Sequence, residues 1–520
     1  MALTTSSRPN LARRTRPRTA RAAALLTTGI ALALSTGLTQ TSVGLTHASN
    51  GLAPTAKDNS TQHRPYRISW EKCEGSPGTQ CGALDVPINW SRPGGKTLTL
   101  AVARRPASNP DRRVGTLFFN PGGPGDGAVE YIAAAEQFFA PVLLKRFDLV
   151  GMDPRGVMGS NQVSCEDRPI IRPETNLWPR TRQEFRQLVA NNRAVGLACL
   201  RDTGPLMRHT DTINVARDHE ALRIGLGVRR VSWLGLSYGT QVAANYANLY
   251  PRHTRAMVLD AALDHSLSEV EQVAGEMLAA EDSFNRFAAW CPTSSTCALR
   301  GRDVAKAFDR LVAAADREPI PVPGAMRPVT GADIRMKTKG LLRFKEPSIY
   351  GPDLSWAGLS RALDAALNGD ASAFAEPPAD APQYGAYSLL ANACLDYVPQ
   401  VSTWREMQQR IELGRQLAPH LQGASETWQG LLCANWPIQA TNPPRSLNVR
   451  GVPSLIVHAV HDPSVAYAWA HGLASQIAGS DLLTRTGDGH TSYHTSPCAR
   501  SAMNRYLIHP EAPGNRVCHE

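Results

Sequence analysis

The sequence predicts an α/β protein: a mostly parallel sheet with helices packed on it and a large helical segment inserted into it. Three observations lead there. Apolar runs of strand length at 114–120, 147–152, 231–234 and 256–260 alternate with segments of helical spacing, an order that right-handed crossovers turn into a parallel sheet. Between about 265 and 448 the alternation stops, and helical stretches separated by Pro- and Gly-rich loops take over. Strand patterning then resumes at 452–460 and 481–485.

The bulk numbers suit such a chain. Its 520 residues exceed one simple domain, and 42% hydrophobic with 19% charged residues describes an ordinary globular protein with ample core. The basic balance is local. Six arginines and no acid lie in the first 48 residues, so the formal charge falls from +10 to +4 without them, and nucleic acid is not an expected partner. That leader, Arg-rich and then apolar from Ala22 to Leu38, with Thr46-His47-Ala48 as a cleavage site, reads as a secretory signal peptide. No cysteine precedes Cys73 to carry a lipid anchor, and no later run is long enough to span a membrane, so the mature protein is expected to be secreted, extracellular and free of the membrane. Ten cysteines in sequence-local pairs, with no C-x-x-C, favour disulfides over zinc, although spacing alone does not fix which cysteine joins which. The expected divisions are a signal peptide at 1–48, a flexible arm or propeptide at 49–66, a core at 67–264, a helical cap at 265–448 and the rest of the core at 449–520.

Taken in order, residues from Ile68 onward open a β-rich entry, with strands at 83–87 and 96–102 joined through the turn Pro93-Gly94-Gly95. The strand at 114–120 runs into Pro121-Gly122-Gly123-Pro124-Gly125-Asp126-Gly127. This loop lacks the Lys-Ser/Thr of a phosphate-binding loop, but its bare backbone can bring an N–H to a substrate carbonyl. A helix is expected at 129–145. The strand at 147–152 ends in Asp153-Pro154-Arg155-Gly156, a bracing loop whose Asp153 and Arg155 read as structural. A loop stapled by Cys165 and Cys199 and a helix at 212–226 precede the central feature.

That feature is 231–247, VSWLGLSYGTQVAANYA: a short strand, then Gly235-Leu236-Ser237-Tyr238-Gly239, then a helix. Strand, G-x-S-x-G and helix together make a nucleophile elbow, with the serine on a strained turn that glycines on either side permit. The helix behind it points its N-terminus at the serine, where negative charge develops in acyl transfer. After the strand at 256–260 come helices at 269–289, 303–317, 356–367 and 403–417, which read as a lid over the serine. The strand at 452–460 leads into His461-Asp462-Pro463, a helix at 466–477 and a strand at 481–485 follow, and Gly487-Asp488-Gly489-His490-Thr491 closes the series. Ser, then Asp, then His is the chain order of the α/β-hydrolase fold, with a mostly parallel central sheet and a large, mainly helical cap inserted after the strand that follows the elbow.

The catalytic set read from these positions is Ser237, Asp462 and His490. Asp260, at the end of the strand after the elbow, is the other place an acid can stand, and reads otherwise as a carboxylate capping the entry to the cap. His494 lacks flanking glycines, and His461 is expected to pack against the acid. His490 takes the serine proton, Asp462 holds the imidazole, and the backbone N–H groups of Gly123 and Tyr238 receive the oxyanion; no metal or cofactor is needed.

The motifs NPGGPG at 120–125, GMDPRG at 151–156, GLSYGT at 235–240, LDAALDHS at 259–266, CLDY at 394–397, CANWP at 433–437, HDPSVAYAWA at 461–470 and GDGHTSY at 487–493 together resemble the secreted tripeptidyl aminopeptidase-like serine peptidases, over nearly the whole chain from about residue 67. NPGGPG is similar to the HGGPG loop of prolyl aminopeptidases, with Pro121 in place of the histidine. Ala261 stands where family members often carry glycine, and Val465-Ala466 where a threonine-proline pair is usual. The resemblance implies release of short peptides, typically tripeptides, from peptide substrates with a free N-terminus. Such substrates need an acid to hold the ammonium; Glu276, Glu281, Asp282 and Asp396 in the cap are the candidates. A secreted carboxylesterase or lipase with the same triad, and a non-catalytic binding protein on the same scaffold, are the other readings.

Overall fold

Among the described residues, ten strands join into one sheet in the order β1-β2-β3-β5-β4-β6-β7-β8-β9-β10. They are β1 Ile68–Lys72, β2 Gln80–Pro87, β3 Thr97–Arg105, β4 Gly115–Asn120, β5 Phe147–Met152, β6 Val231–Leu236, β7 Thr254–Asp260, β8 Ser454–His461, β9 Asp481–Asp488 and β10 Val517–Cys518. The three pairings from β1 to β5 are antiparallel, and every pairing from β5 to β10 is parallel. The computed structural model describes residues 66–520 apart from 166–169, 171, 173–174, 350, 352, 379–383, 424–430 and 511–515. The expected signal peptide lies outside the described residues, as does the arm up to residue 65.

Side-chain patterning explains the two halves of the sheet. β6 is buried at every position and β7 at all but one, the continuous apolar run of a strand covered on both faces. β3 begins with alternating exposed and buried residues, as an antiparallel strand with one wet face does. One apolar cluster, with Trp233, Tyr246 and Trp469, covers one side of the sheet, and another, with Phe119, Phe138, Leu143 and Met503, covers the other.

After β4 come α1 Val129–Ala133, α2 Ala135–Phe138 and α3 Pro141–Arg146. A single helix was expected here. Ala140, extended before Pro141, breaks it, because a residue preceding proline is pushed out of the helical region. Before β6 lie α4 Arg182–Thr203 and α5 Thr212–Gly225, and after it α6 Tyr238–Leu249. The stretch read as a stapled loop therefore holds a 22-residue helix, α4, fixed at its start by the reciprocal bonds of Thr181 and Glu184.

Between β7 and β8 run α7 Glu269–Trp290, α8 Val304–Arg317, α9 Gly331–Leu342, α10 Trp356–Leu367, α11 Tyr384–Asp396 and α12 Trp404–Leu417. Only isolated bridges, Ile320 with Val329 and Ser348 with Gly351, occur among the described residues of this insertion. A third apolar cluster fills it, and α4 contributes Phe185, Leu188 and Val195 beside Val273, Phe284 and Trp356. α13 Tyr467–Gln476 and α14 Pro497–Ile508 flank β9. Disulfides join Cys73–Cys81, Cys165–Cys199, Cys291–Cys297, Cys394–Cys433 and Cys498–Cys518. No helix among the described residues is long and apolar enough to cross a membrane.

The loop after β5 is anchored by a buried pair. Arg155 holds Asp218 of α5 through Nε and Nη2, both at 2.6 Å, and its remaining protons go to the carbonyls of Pro87, Ile88 and His209. Asp153 takes no part in that pair; it accepts the Val129 and Gly159 N–H groups. Both residues are structural in this arrangement, and together they fix the end of β5 against β2 and α1.

Candidate active site

The elbow is built by close approach. Ser237 sits between β6 and α6 with φ 54° and ψ −125°, a left-handed conformation that costs a non-glycine residue on the order of 1–3 kcal/mol. A Cβ on Gly235 would stand 2.4 Å from the Gly239 carbonyl oxygen, and one on Gly239 would stand 2.3 Å from that of Asn120. Neither position admits a side chain. The elbow is therefore pressed against the end of β4, where the glycine-rich loop begins.

That loop lies directly behind the serine. A Cβ on Gly122 would be 3.0 Å from the Ser237 Cβ and 3.2 Å from the Tyr238 nitrogen. The Gly122 N–H is engaged, donating to Asn120 Oδ1 at 3.1 Å, and Gly123, next in the chain, has φ 104°. Tyr238 is the first residue of α6, and the leading N–H groups of a helix have no partner within it. Asn120 and Gly122 escaped the sequence reading as positioning groups; the glycine doublet was the visible signal.

Asp462 follows β8 and His490 follows β9, and the structure brings them together. The His490 Nδ1 stands 2.8 Å from Asp462 Oδ2 and 3.0 Å from Oδ1. A carboxylate only accepts, so Nδ1 carries the proton and Nε2 is left as the basic nitrogen. Asp462 is buried, and Oδ1 also accepts the Ser464 and Val465 N–H groups at 2.8 and 3.1 Å. Burial works to raise its pKa, but the His490 charge and hydrogen bond, with help from His458 and the Ser464 amide, outweigh it and hold Asp462 below the usual carboxylate range.

The loop carrying His490 is held on every side. Gly489 donates to the His461 carbonyl at 3.0 Å, and His490 to the Arg343 carbonyl at 2.7 Å. Arg485, buried in β9, donates to the carbonyls of Asp488 and Gly489, both at 2.8 Å, and to Ser492 Oγ at 3.1 Å. Asp260 accepts the Ser492 and Tyr493 N–H groups on Oδ2 at 2.7 and 2.8 Å. It therefore holds this loop and does not cap the entry to the insertion, where the sequence reading had placed it. Its carbonyl takes the Ser237 N–H at 2.9 Å.

The two other histidines are occupied elsewhere. His461 Nδ1 pairs with Asp282 of α7 at 2.7 Å. The His494 ring lies 4.0 Å from that of Phe138, and burial, seconded by Arg500, pushes it down to about 3. The candidate ammonium acids are also engaged. Glu276 pairs with Lys339 of α9 at 2.9 Å, Glu281 accepts the His420 and Leu421 N–H groups, and Asp282 holds His461. Asp396 is fully buried under the elbow, accepting from the Thr212 amide and hydroxyl, Asn442 and Gln241. Burial, then the neighbouring Asp211, pushes it up to about 7 against those donors. Thr212 and Asn392 also bond the Tyr238 hydroxyl, at 2.7 and 2.8 Å, so the residue after the serine is tied to α11. Among the described residues no group of three His, Cys, Asp or Glu side chains is arranged to hold a metal ion.

A seam of charge joins the insertion to the base loop. Arg286 of α7 and Lys345, which follows α9, both pair with Asp488, Lys345 at 2.9 Å. Arg343 donates to Ser464 Oγ at 3.2 Å beside the Asp462 loop. Acyl transfer needs a hydroxyl, a base with an orienting acid, and backbone N–H donors, and Ser237, the Asp462–His490 pair and the start of α6 are groups of those kinds.

The chain is similar to known proteins over most of its length. A family model described as TAP-like protein matches residues 419–518, the stretch that carries Asp462 and His490. Serine protease Hip1 of Mycobacterium tuberculosis is 30% identical over 478 residues, spanning 86% of this chain and 89% of that protein. Tripeptidyl aminopeptidase of Streptomyces lividans is 28% identical over 469 residues, or 85% and 84% of the two chains. A protein named carboxylesterase B, also of Mycobacterium tuberculosis, is 31% identical over 464 residues, or 84% and 85%.

Proposed function

The chain belongs to the tripeptidyl aminopeptidase-like serine peptidases of the α/β-hydrolase superfamily, and from that premise we propose that it is a secreted exopeptidase releasing short peptides, tripeptides by preference, from free N-termini. Ser237 is the nucleophile, His490 its general base, Asp462 the acid that orients the base, and the Gly123 and Tyr238 amides the oxyanion donors. The observation that carries the assignment is the buried Asp462–His490 pair, on loops after adjacent parallel strands beside an elbow serine held at φ 54°.

The chemistry follows from these positions. His490 Nε2 removes the hydroxyl proton as Ser237 Oγ attacks the scissile carbonyl, and Asp462 stabilises the imidazolium that forms. Charge on the carbonyl oxygen meets the two amides, each donor contributing about 3–4 kcal/mol in comparable sites. The imidazolium then protonates the leaving amine, and water, deprotonated by the same nitrogen, hydrolyses the acyl-enzyme. The insertion at 265–448, with α4 packed into its core, is the lid that sorts substrates. Five disulfides and the Arg-rich, apolar leader support export.

An ester preference is the second reading, favoured by the relative named carboxylesterase B. The test is turnover by the purified protein, beside Ser237→Ala, on a matched pair of tripeptide p-nitroanilides with free and acetylated N-termini, and on p-nitrophenyl esters. Serine-dependent release from the free-amine substrate alone is expected. Equal release from both anilides would leave an endopeptidase, and turnover of esters only would leave an esterase.

A further inference from the structure

Asp260 stands between the two loops that carry the chemistry. It is the last residue of β7, fully buried, and neither its position nor the proposed mechanism gives it a chemical step. Its polar atoms are divided between two jobs. The carbonyl fixes the amide of Ser237, and Oδ2 fixes the amides of Ser492 and Tyr493, two and three residues beyond His490. Oδ1 is buried with no hydrogen-bond partner among the described residues. A buried carboxylate oxygen without a donor is unfavourable, so a position that keeps one is constrained by something besides packing.

We propose that Asp260 is a positioning residue for the base: one side chain fixes the backbone behind His490, its own carbonyl fixes the backbone of Ser237, and its charge faces the imidazole and favours the imidazolium formed during attack. This rests on the assignment of Ser237 and His490 made above. The charged groups that act on Asp260 are Arg485 on β9 and His490 itself, and on β8 His458 follows Val457, the strand partner of Asp260. Arg485 grips the carbonyls of the loop while Asp260 grips its amides, so the base is held from both backbone polarities. Burial pushes the Asp260 carboxyl up to about 6, against the two amides, Arg485 and His490.

Two substitutions separate the parts. Asp260→Asn keeps an oxygen for the two amides and removes the charge; Asp260→Ala removes both. For Asp260→Ala, kcat is expected to fall about 100-fold with KM within about twofold, the signature of a misplaced base and not of lost substrate binding. For Asp260→Asn the loss is smaller, about tenfold, and the acid limb of kcat/KM moves. With the negative charge gone, the imidazolium is less favoured, so the limb moves to lower pH. A pH profile of Asp260→Asn that superimposes on the wild type, or an Asp260→Ala loss that merely follows the unfolded fraction seen by circular dichroism, would overturn the proposal. So would a greater loss from Asp260→Asn than from Asp462→Asn, which would make Asp260 the triad acid. Retained turnover in Ser237→Ala would instead overturn the mechanism, a result independent of either profile.

Discussion

The sheet and the insertion both bury charge, and they use it differently. At the strand ends, Asp260, Arg485 and Asp462 spend their hydrogen bonds on the backbones and side chain of the loops that carry Ser237 and His490. In the insertion, Glu276 meets Lys339 between α7 and α9, and Glu269 meets Arg410 between α7 and α12. Those pairs join helix to helix and touch none of the candidate catalytic groups. Charge at the strand ends sets geometry, and charge in the insertion holds its helices together. Changes in the first region should move rates with the fold intact; changes in the second should move stability with the rate per folded molecule intact.

The sharpest test of the first half is Asp462→Asn. The amide is nearly the same shape, but it no longer holds Nδ1 as the protonated nitrogen, and kcat is expected to fall about 10⁴-fold with little change in melting temperature. Lys339→Met is its counterpart in the insertion. It leaves Glu276, 3% exposed, without its cation, and a loss of about 3–5 kcal/mol in denaturant unfolding is expected. The double change with Glu276→Leu should recover most of that stability, because a buried pair replaced by packed apolar groups is often neutral. A rate per folded molecule that fell with Lys339→Met would break the comparison.

Acid should loosen both regions together. Burial pushes His219, under the sheet, and His265, at the root of the insertion, down to about 4 each. The unfolded chain takes up these protons near 6.5, so the stability is whole above that pH, declines as pH falls, and is gone below about 4. The gap corresponds to about 3 kcal/mol for each histidine, and His219→Gln or His265→Gln should flatten the acid side of a melting-temperature profile.

Where the two regions meet, the effects should mix. Asp488 is held by Arg286 and Lys345 from the insertion side and lies two residues before His490. Arg286→Ala with Lys345→Ala is expected to lower kcat about tenfold, by loosening the base loop, with a loss near 1 kcal/mol because both cations are more than a third exposed.

Much of the strand-end region could be read from the residues. Gly235, Ser237 and Gly239 announce the elbow because only glycine tolerates the approaches of 2.4 and 2.3 Å found there, and Asp462 and His490 follow apolar runs that could only be buried strands. The role of Asp260 could not be read, since it depends on amides 232 residues away meeting its side chain across the sheet. The insertion was legible helix by helix and no further. Periodicity located α7, α8, α10 and α12, whereas α9 and α11 were missed, as was α4 before the insertion, although α4 and α9 open with a capping box, Thr181 with Glu184 and Thr330 with Asp333, that stands in the sequence. The ammonium candidates could not be ranked from the sequence, for one physical reason. A carboxylate on a helix face carries no mark of its partner, and Glu276, Glu281, Asp282 and Asp396 each found one inside the fold.

The same capping boxes give the smallest effect by which the two regions should differ. Thr330 accepts the Asp333 amide at 3.3 Å and donates to its carboxylate at 2.7 Å, while Arg327 clamps that carboxylate from outside at 2.7 Å with each of two nitrogens. Thr330→Ala removes both hydroxyl bonds and leaves the Thr330 amide bond and the clamp, so a loss of about 1 kcal/mol is expected in denaturant unfolding, with kcat and KM unchanged. α9 ends immediately before Arg343, whose carbonyl receives the His490 amide. A frayed start to α9 is buffered from that contact by three turns of helix and the Glu276–Lys339 pair, whereas a slipped α9 would carry Arg343 with it. A fall in kcat from Thr330→Ala larger than the folded fraction explains would therefore show that the insertion sets catalytic geometry as well as its own stability, and the contrast between the two regions would fail at its weakest point.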